Sequence, residues 1–184
     1  MTSSRSVCVF CGARAGGRPS HAAAAKAVGR TIAAAGWRLV YGAGDVGLMG
    51  ETAQAAQAAG GATLGVIPVH LMGRERGRDR GPGIVVTENM HERKKVMFMN
   101  SDAIVVLPGG AGTLDEYFEA LTWRQIGLHE KPLFVLNIDG YWDPLLALID
   151  HVIAEGFADA SLATYSAVVP DVETLERRLR AALS

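Results

Sequence analysis

After the apolar run Ala103–Leu107 the chain reads Pro108-Gly109-Gly110-Ala111-Gly112-Thr113-Leu114-Asp115-Glu116, a glycine-rich turn followed closely by a hydroxyl and two carboxylates. Glycines let the backbone close on a ligand, and a helix start offers unpaired N–H groups and partial positive charge, so such a turn suits a phosphate. Thr113 and Glu116 also stand at capping-box spacing, which would be a purely structural use of the carboxylate. A second segment, Asn89-Met90-His91-Glu92-Arg93-Lys94-Lys95, shifts the balance towards chemistry. Cations in the first turns of a helix oppose its dipole at a few tenths to about 1 kcal/mol each, a conflict that a bound anion removes. Arg93 carries a planar fork suited to phosphate or carboxylate. Lys95 is expected simply to extend into solvent.

Two further turns are glycine-rich, Gly12 to Gly17 and Gly42 to Gly50. The second contains Gly42-Ala43-Gly44-Asp45-Val46-Gly47, literally G-x-G-x-x-G. A dinucleotide site also requires an acidic residue about 20 positions on, to bind the ribose hydroxyls. Here the next strand ends Ile67-Pro68-Val69-His70 without one, which argues against a nicotinamide cofactor. Cys8 and Cys11 spell C-x-x-C, but positions three apart on a strand face opposite sides and no second ligand pair follows, so both are expected to be structural.

These turns need elements to hold them. Strand-like runs at Val7–Phe10, Leu39–Tyr41, Thr63–Ile67, Ile84–Thr87, Ala103–Leu107, Leu133–Ile138 and Ala167–Val169 alternate with segments of helical period. Ser20 is placed to cap an Ala-rich helix ending near Gly36, and a second runs from Leu48 to Gly60-Gly61. Others begin near Met90 and Thr113, span Trp142 to Glu155, and run from Asp171 to the end. Alternation of this kind predicts a single α/β domain, a Rossmann-like doubly wound parallel sheet of about seven strands with helices on both faces. In such sheets ligands bind beyond the carboxyl ends of the strands, where all three glycine turns fall. His70 to Gly83, crowded with Gly and Arg, reads as a long irregular connection.

At 184 residues the chain has room for one domain. With 18 Lys and Arg against 19 Asp and Glu, no large field of one sign exists to drive binding to nucleic acid or an anionic membrane. No apolar run reaches the roughly 18 residues of a membrane span, and the polar start does not resemble a signal peptide, so a cytoplasmic protein is expected. No His, Cys and carboxylate cluster has metal-ligand spacing, and neither metal nor cofactor is expected.

Taken together, these residues resemble the LOG family, cytokinin riboside 5′-monophosphate phosphoribohydrolases once catalogued as lysine decarboxylases. The resemblance is carried by Val9-Phe10-Cys11-Gly12, Leu39-Val40-Tyr41-Gly42 with Val46-Gly47-Leu48-Met49-Gly50, Met90-His91-Glu92-Arg93-Lys94, and above all P-G-G-x-G-T-x-x-E at Pro108 to Glu116. It implies that Arg93 and Glu116 are catalytic. It further implies that Glu75, Lys94, Gly109, Gly110, Ala111, Gly112, Thr113, Leu114, Asp115 and Thr122 bind a nucleoside 5′-monophosphate, and that the protein is a homodimer. The implied reaction is hydrolysis of the N-glycosidic bond of an adenosine or N6-substituted adenosine 5′-monophosphate. The chain departs from the family at Ala13-Arg14, where C-G-S-S is usual, at Ala43, where Y-G-G-G is usual, and at Asp115, where Glu is common. A non-catalytic nucleotide carrier of the same fold is the alternative. Lysine decarboxylation would need a Schiff-base lysine for pyridoxal phosphate, and no lysine is so marked.

Overall fold

The computed structural model describes residues 5–75 and 83–184, with the side chains of Arg74 and Glu75 also outside the described set. Seven parallel strands form one sheet in the order β4-β3-β2-β1-β5-β6-β7. They are β1 (Ser6–Phe10), β2 (Arg38–Tyr41), β3 (Thr63–Pro68), β4 (Ile84–Thr87), β5 (Ala103–Val106), β6 (Leu133–Leu136) and β7 (Ala167–Val169). Each predicted strand is present, within a residue or two at its ends. The helices are α1 (Pro19–Ala34), α2 (Gly47–Ala58), α3 (Met72–Glu75), α4 (Met90–Met99), α5 (Ala111–Gln125), α6 (Asp143–Ala154) and α7 (Val172–Leu183). The stretch expected to be irregular opens with a short 3-10 turn, Val69–Leu71, and α3, while residues 76–82 lie outside the described residues.

Alternation along β1 divides the core. Val7 and Val9 point to one face, packed with Val28 and Ile32 of α1, Leu48 of α2 and Leu179 of α7. Cys8 and Phe10 point to the other, packed with Met97 of α4, Tyr117 of α5 and Ile149 of α6. Cys11 lies on the first face, so the two free, buried cysteines sit on opposite sides of the sheet as the period-2 argument requires. On the first face α1 and α2 approach closely enough that a Cβ on Gly29 would lie 2.2 Å from the Thr52 carbonyl oxygen, which explains a glycine inside an alanine-rich helix. Ser20 does not cap α1. The helix starts at Pro19, whose fixed φ suits the first helical position, and Ser20 Oγ donates to Asp139 Oδ2 at 2.5 Å instead.

β1 pairs with β2 on one side and β5 on the other, so the strand order reverses between β1 and β5. Connections leaving these two strands diverge to opposite faces and open a crevice at the carboxyl edge. Backbone bonds from Leu107 N to the Phe10 carbonyl (2.9 Å) and from Gly12 N to the Pro108 carbonyl (3.0 Å) carry the pairing past the strand ends and fix the two glycine turns side by side.

Candidate active site

A cavity of about 560 Å³ lies at this crevice. Its walls include Gly12, Gly42, Arg93, Gly109, Thr113 and Glu116. Parts of all three glycine turns therefore face one space.

Arg93 enters it from the first turn of α4. Its Nε donates to the Val66 carbonyl at 3.1 Å and its Nη2 to the Gly42 carbonyl at 3.0 Å, oxygens near the carboxyl ends of β3 and β2. The sulfur atoms of Met90 and Met49 lie 3.9 Å and 4.0 Å from Nη1 and Nη2. Glycine at 42 is dictated by this arrangement, because a Cβ there would stand 1.8 Å from Nη2. The start of α4 satisfies itself: Asn89 Oδ1 accepts from Glu92 N (3.0 Å) and Glu92 Oε2 accepts from Glu88 N (2.8 Å). This side-chain cap, with an acidic residue in the first turn, offsets part of the cationic conflict seen in the sequence, and Lys95 is exposed as expected.

Glu116 comes from α5, and here the structure corrects the sequence reading. The N-cap is Gly110, without a side-chain cap, so Thr113 is the third helical residue and Glu116 the sixth. Thr113 caps nothing at this end, and Glu116 is too far along the helix to close a capping box. The error came from placing the helix start at the first hydroxyl, whereas the glycines Gly109 and Gly110 already adopt the entry. Gly109 is needed for another reason, since a Cβ on it would lie 2.0 Å from Thr113 Oγ1. Glu116 Oε1 stands 4.0 Å from Arg93 Nη1, and both side chains are buried. Two residues 23 positions apart in sequence thus meet on one wall.

The start of α5 contrasts with that of α2. At α2, the N–H groups of Leu48 and Met49 point to the Gly12 carbonyl (3.0 and 3.4 Å), so the G-x-G-x-x-G turn has its helix donors occupied by protein. At α5, Gly110, Gly112 and Thr113 line the cavity, and the unpaired N–H groups of a helix's first turn are ready anion ligands. Cys11 lines the same space; burial, and next the negative charge of Glu116, push its thiol far up, so it is a neutral wall rather than a nucleophile.

Other expected residues lie elsewhere. Lys94 points away from the cavity lining, donating to Asp115 Oδ2 at 3.0 Å and, closely, to Glu119 Oε2. Burial alone would depress its ammonium, but bonds to Glu119 and Asp115 outweigh this and raise it above the ordinary lysine value. Asp115 is exposed, Leu114 packs against the core, Ala111 and Thr122 are exposed, and none of these four lines the cavity. Glu75 ends α3, with its side chain outside the described residues. Conversely, Arg14, His21, Met49, Met90 and Tyr141 line the cavity, none of them among the expected site residues although Arg14 lies within the Gly12 to Gly17 turn. The sequence signal for the first two was the Gly12 to Gly17 turn, whose neighbours it should have implicated. The methionines read as ordinary core.

Comparison with known proteins follows the same lines. Residues 49–179 match the family described as "Possible lysine decarboxylase". The chain is 45% identical to the probable cytokinin riboside 5′-monophosphate phosphoribohydrolase LOGL9 of Oryza sativa subsp. japonica, over 95% of this chain and 77% of that protein. It is 40% identical to the cytokinin riboside 5′-monophosphate phosphoribohydrolase LOG5 of Arabidopsis thaliana, again over 95% of this chain and 77% of the relative. Among solved structures, the molybdenum cofactor binding protein from Rippkaea orientalis superposes with a TM-score of 0.75 at 23% identity over the whole of both chains, a likeness of fold.

Because Lys94 tethers α4 to α5 behind the cavity, Lys94→Met should lower stability by about 1 kcal/mol in urea unfolding, as expected for a pair whose acidic members retain water. Affinity for a phosphorylated ligand should stay within about twofold of wild type, and a larger loss would return Lys94 to the binding site.

Proposed function

This chain belongs to the LOG family, and from that premise and its cavity we propose that it hydrolyses the N-glycosidic bond of adenosine or N6-substituted adenosine 5′-monophosphates, releasing the free base and ribose 5-phosphate. The observation that carries the reading is the meeting of Arg93 and Glu116, 4.0 Å apart, on the wall of a cavity that also receives the uncapped start of α5. Its volume of about 560 Å³ is of the size that encloses a small ligand.

Cleavage of the bond between ribose C1′ and the base nitrogen builds positive charge on the sugar ring. Glu116, as carboxylate, faces that charge and accepts the proton of the water that attacks C1′, while the bonding electron pair leaves with the base, which takes up a proton. Arg93 keeps a fixed position beside the carboxylate because two carbonyls hold it, and it orients the substrate or water without donating a proton. The phosphate sits against the N–H groups of Gly110, Gly112 and Thr113, supplying binding energy away from the reacting bond. Leu48, Met49, Leu71, Met90 and Met97 give the cavity its apolar wall, which suits a purine and a hydrophobic N6 substituent. In this reading Lys94 and Asp115 act through helix placement.

We also propose a homodimer. Ile126 and Leu128, just beyond α5, and Met99 at the end of α4 are 63%, 66% and 69% exposed, apolar side chains that a partner subunit would cover. Sedimentation velocity should return twice the 19.4 kDa chain mass, and a monomer at micromolar concentration would refute this.

Incubation of the protein with AMP and with N6-isopentenyl-AMP should yield free base by chromatography. A carrier of the same fold would return both nucleotides intact. Glu116→Gln should lower kcat by about 10²–10⁴-fold with an unchanged melting temperature. Near-normal turnover would remove Glu116 from the mechanism. Gly42→Ala should lower kcat to the level of Arg93→Ala, since its methyl occupies the position of the guanidinium; retention of activity would mean that the seat of Arg93 is not required.

A further inference from the structure

One buried polar group on the cavity wall is not used by this mechanism. His21, the third residue of α1, is 4% exposed and lines the cavity, and its Nε2 has no hydrogen-bond partner. Burying a polar nitrogen without a partner is unfavourable, so an unpaired one beside a ligand space calls for a ligand. The other such side-chain nitrogen among the described residues, Trp142 Nε1, does not line the cavity.

Gly16 and Tyr141 flank the imidazole. Gly16 runs at φ +76° and lacks a side chain where a Cβ would lie 3.0 Å from His21 Nδ1. Tyr141 packs edge-on against the ring, with centroids 5.2 Å apart and planes at 78°. The Tyr141 hydroxyl in turn donates to the Gly109 carbonyl at 2.6 Å. Gly109 immediately precedes Gly110, the N-cap of α5. One aromatic ring therefore links His21 to the turn that presents the open helix start. Glu116 lies between one and two turns farther along α5, and Gly16, His21, Tyr141 and Gly109 line the same cavity as Arg93 and Glu116. The group of a nucleotide that suits both a helix start and an imidazole N–H is its phosphate.

We propose that His21 is a phosphate-contacting residue: its Nε2, closed off from solvent without a ligand, is uncovered by a turn of the ring and donates to the 5′-phosphate held at the start of α5. This rests on the nucleotide reading above and adds to it a side-chain donor supplied by the other face of the sheet. The turn Gly12 to Gly17 then serves to seat that donor rather than to cradle phosphate with its own backbone.

Calorimetric titration with ribose 5-phosphate and, separately, with adenosine tests this on wild type, His21→Phe and His21→Gln. His21→Phe should weaken ribose 5-phosphate by about 10- to 100-fold, the loss of one hydrogen bond to a charged group, and leave adenosine within about twofold. His21→Gln, which keeps an N–H donor, should recover part of the loss. With AMP as substrate, KM should rise while kcat holds. Undiminished ribose 5-phosphate affinity, or equal weakening of both ligands, would overturn the proposal. Should the variants fail to fold, the wild-type protein decides: the ring ¹⁵N resonances of His21 must shift on addition of ribose 5-phosphate and not of adenosine, and unmoved resonances refute the contact. Failure of the hydrolytic reading has a different signature, namely wild-type protein that binds ribose 5-phosphate through His21 yet releases no base from AMP.

Discussion

A guanidinium taken out of water is tolerated only when carbonyls or carboxylates replace its hydration. Arg93, 6% exposed, is held by the Val66 and Gly42 carbonyls, and much of the surrounding sequence follows from that requirement. The two oxygens lie near the carboxyl edge of β3 and β2, so α4 must start where its first turn reaches across both strands. Residue 42 must lack a side chain. Met49 and Met90 contact the cation with polarisable sulfur, which a branched aliphatic side chain would not supply. Glu116 then faces a cation whose position is set by the sheet and not by the ligand. This is the preorganisation that a developing charge needs, because no reorientation is left for the moment of reaction.

The helix starts divide a second task. Side chains cap α4 and α7 through Asn89 and Asp171, and the Gly12 carbonyl occupies α2. α5 has neither kind of partner at its start and opens where Gly109 and Gly110 leave room. Two glycine turns of similar composition thus have opposite fates, decided by a single carbonyl. Gly47 shows how closely the occupied turn is packed: its φ is +63°, and a Cβ would lie 2.3 Å from the Ala13 carbonyl carbon. The first turn folds over the second, and of the second and fifth-strand turns it is the fifth-strand turn that keeps its helix donors for a ligand.

The strands were legible because each is a short apolar run bounded by glycine, proline or polar residues, and burial on both faces erases any need for finer pattern. Arg93 and Glu116 were marked out by their residue types and the family pattern, and the structure brings them together on one wall. What could not be read was direction. Lys94 follows Arg93 by one residue, and a rotation of about 100° on the helix takes its ammonium from the cavity to Asp115 and Glu119. Thr113 looked like a cap because the chain before it could not be seen to enter the helix through Gly110. His21 stood in an alanine-rich helix whose periodicity says core, and burial is indeed what it has; that the core position borders a cavity depends on Tyr141, more than 100 residues away.

The departures from the family pattern separate in the same way. Ala43 runs at φ 61°, a region in which an L-residue is strained by roughly 1–2 kcal/mol. Its methyl is fully buried over Gly65, where an added Cβ would stand 2.9 Å from it. Burial of that methyl contributes on the order of 0.8 kcal/mol, and the smaller freedom of alanine in the unfolded chain about 0.4–1 kcal/mol, so strain and compensation nearly cancel. Ala43 does not line the cavity, and its exchange for glycine concerns the fold alone. Ala13 and Arg14 are different, since both line the cavity and both are exposed. Relative to the usual serines they remove two hydroxyls and add one exposed cation to the cavity that His21 and the start of α5 also line. Such a change leaves the apolar wall intact and, in the proposed reading, bears on the phosphate, the one part of the substrate that a long-range positive charge can favour.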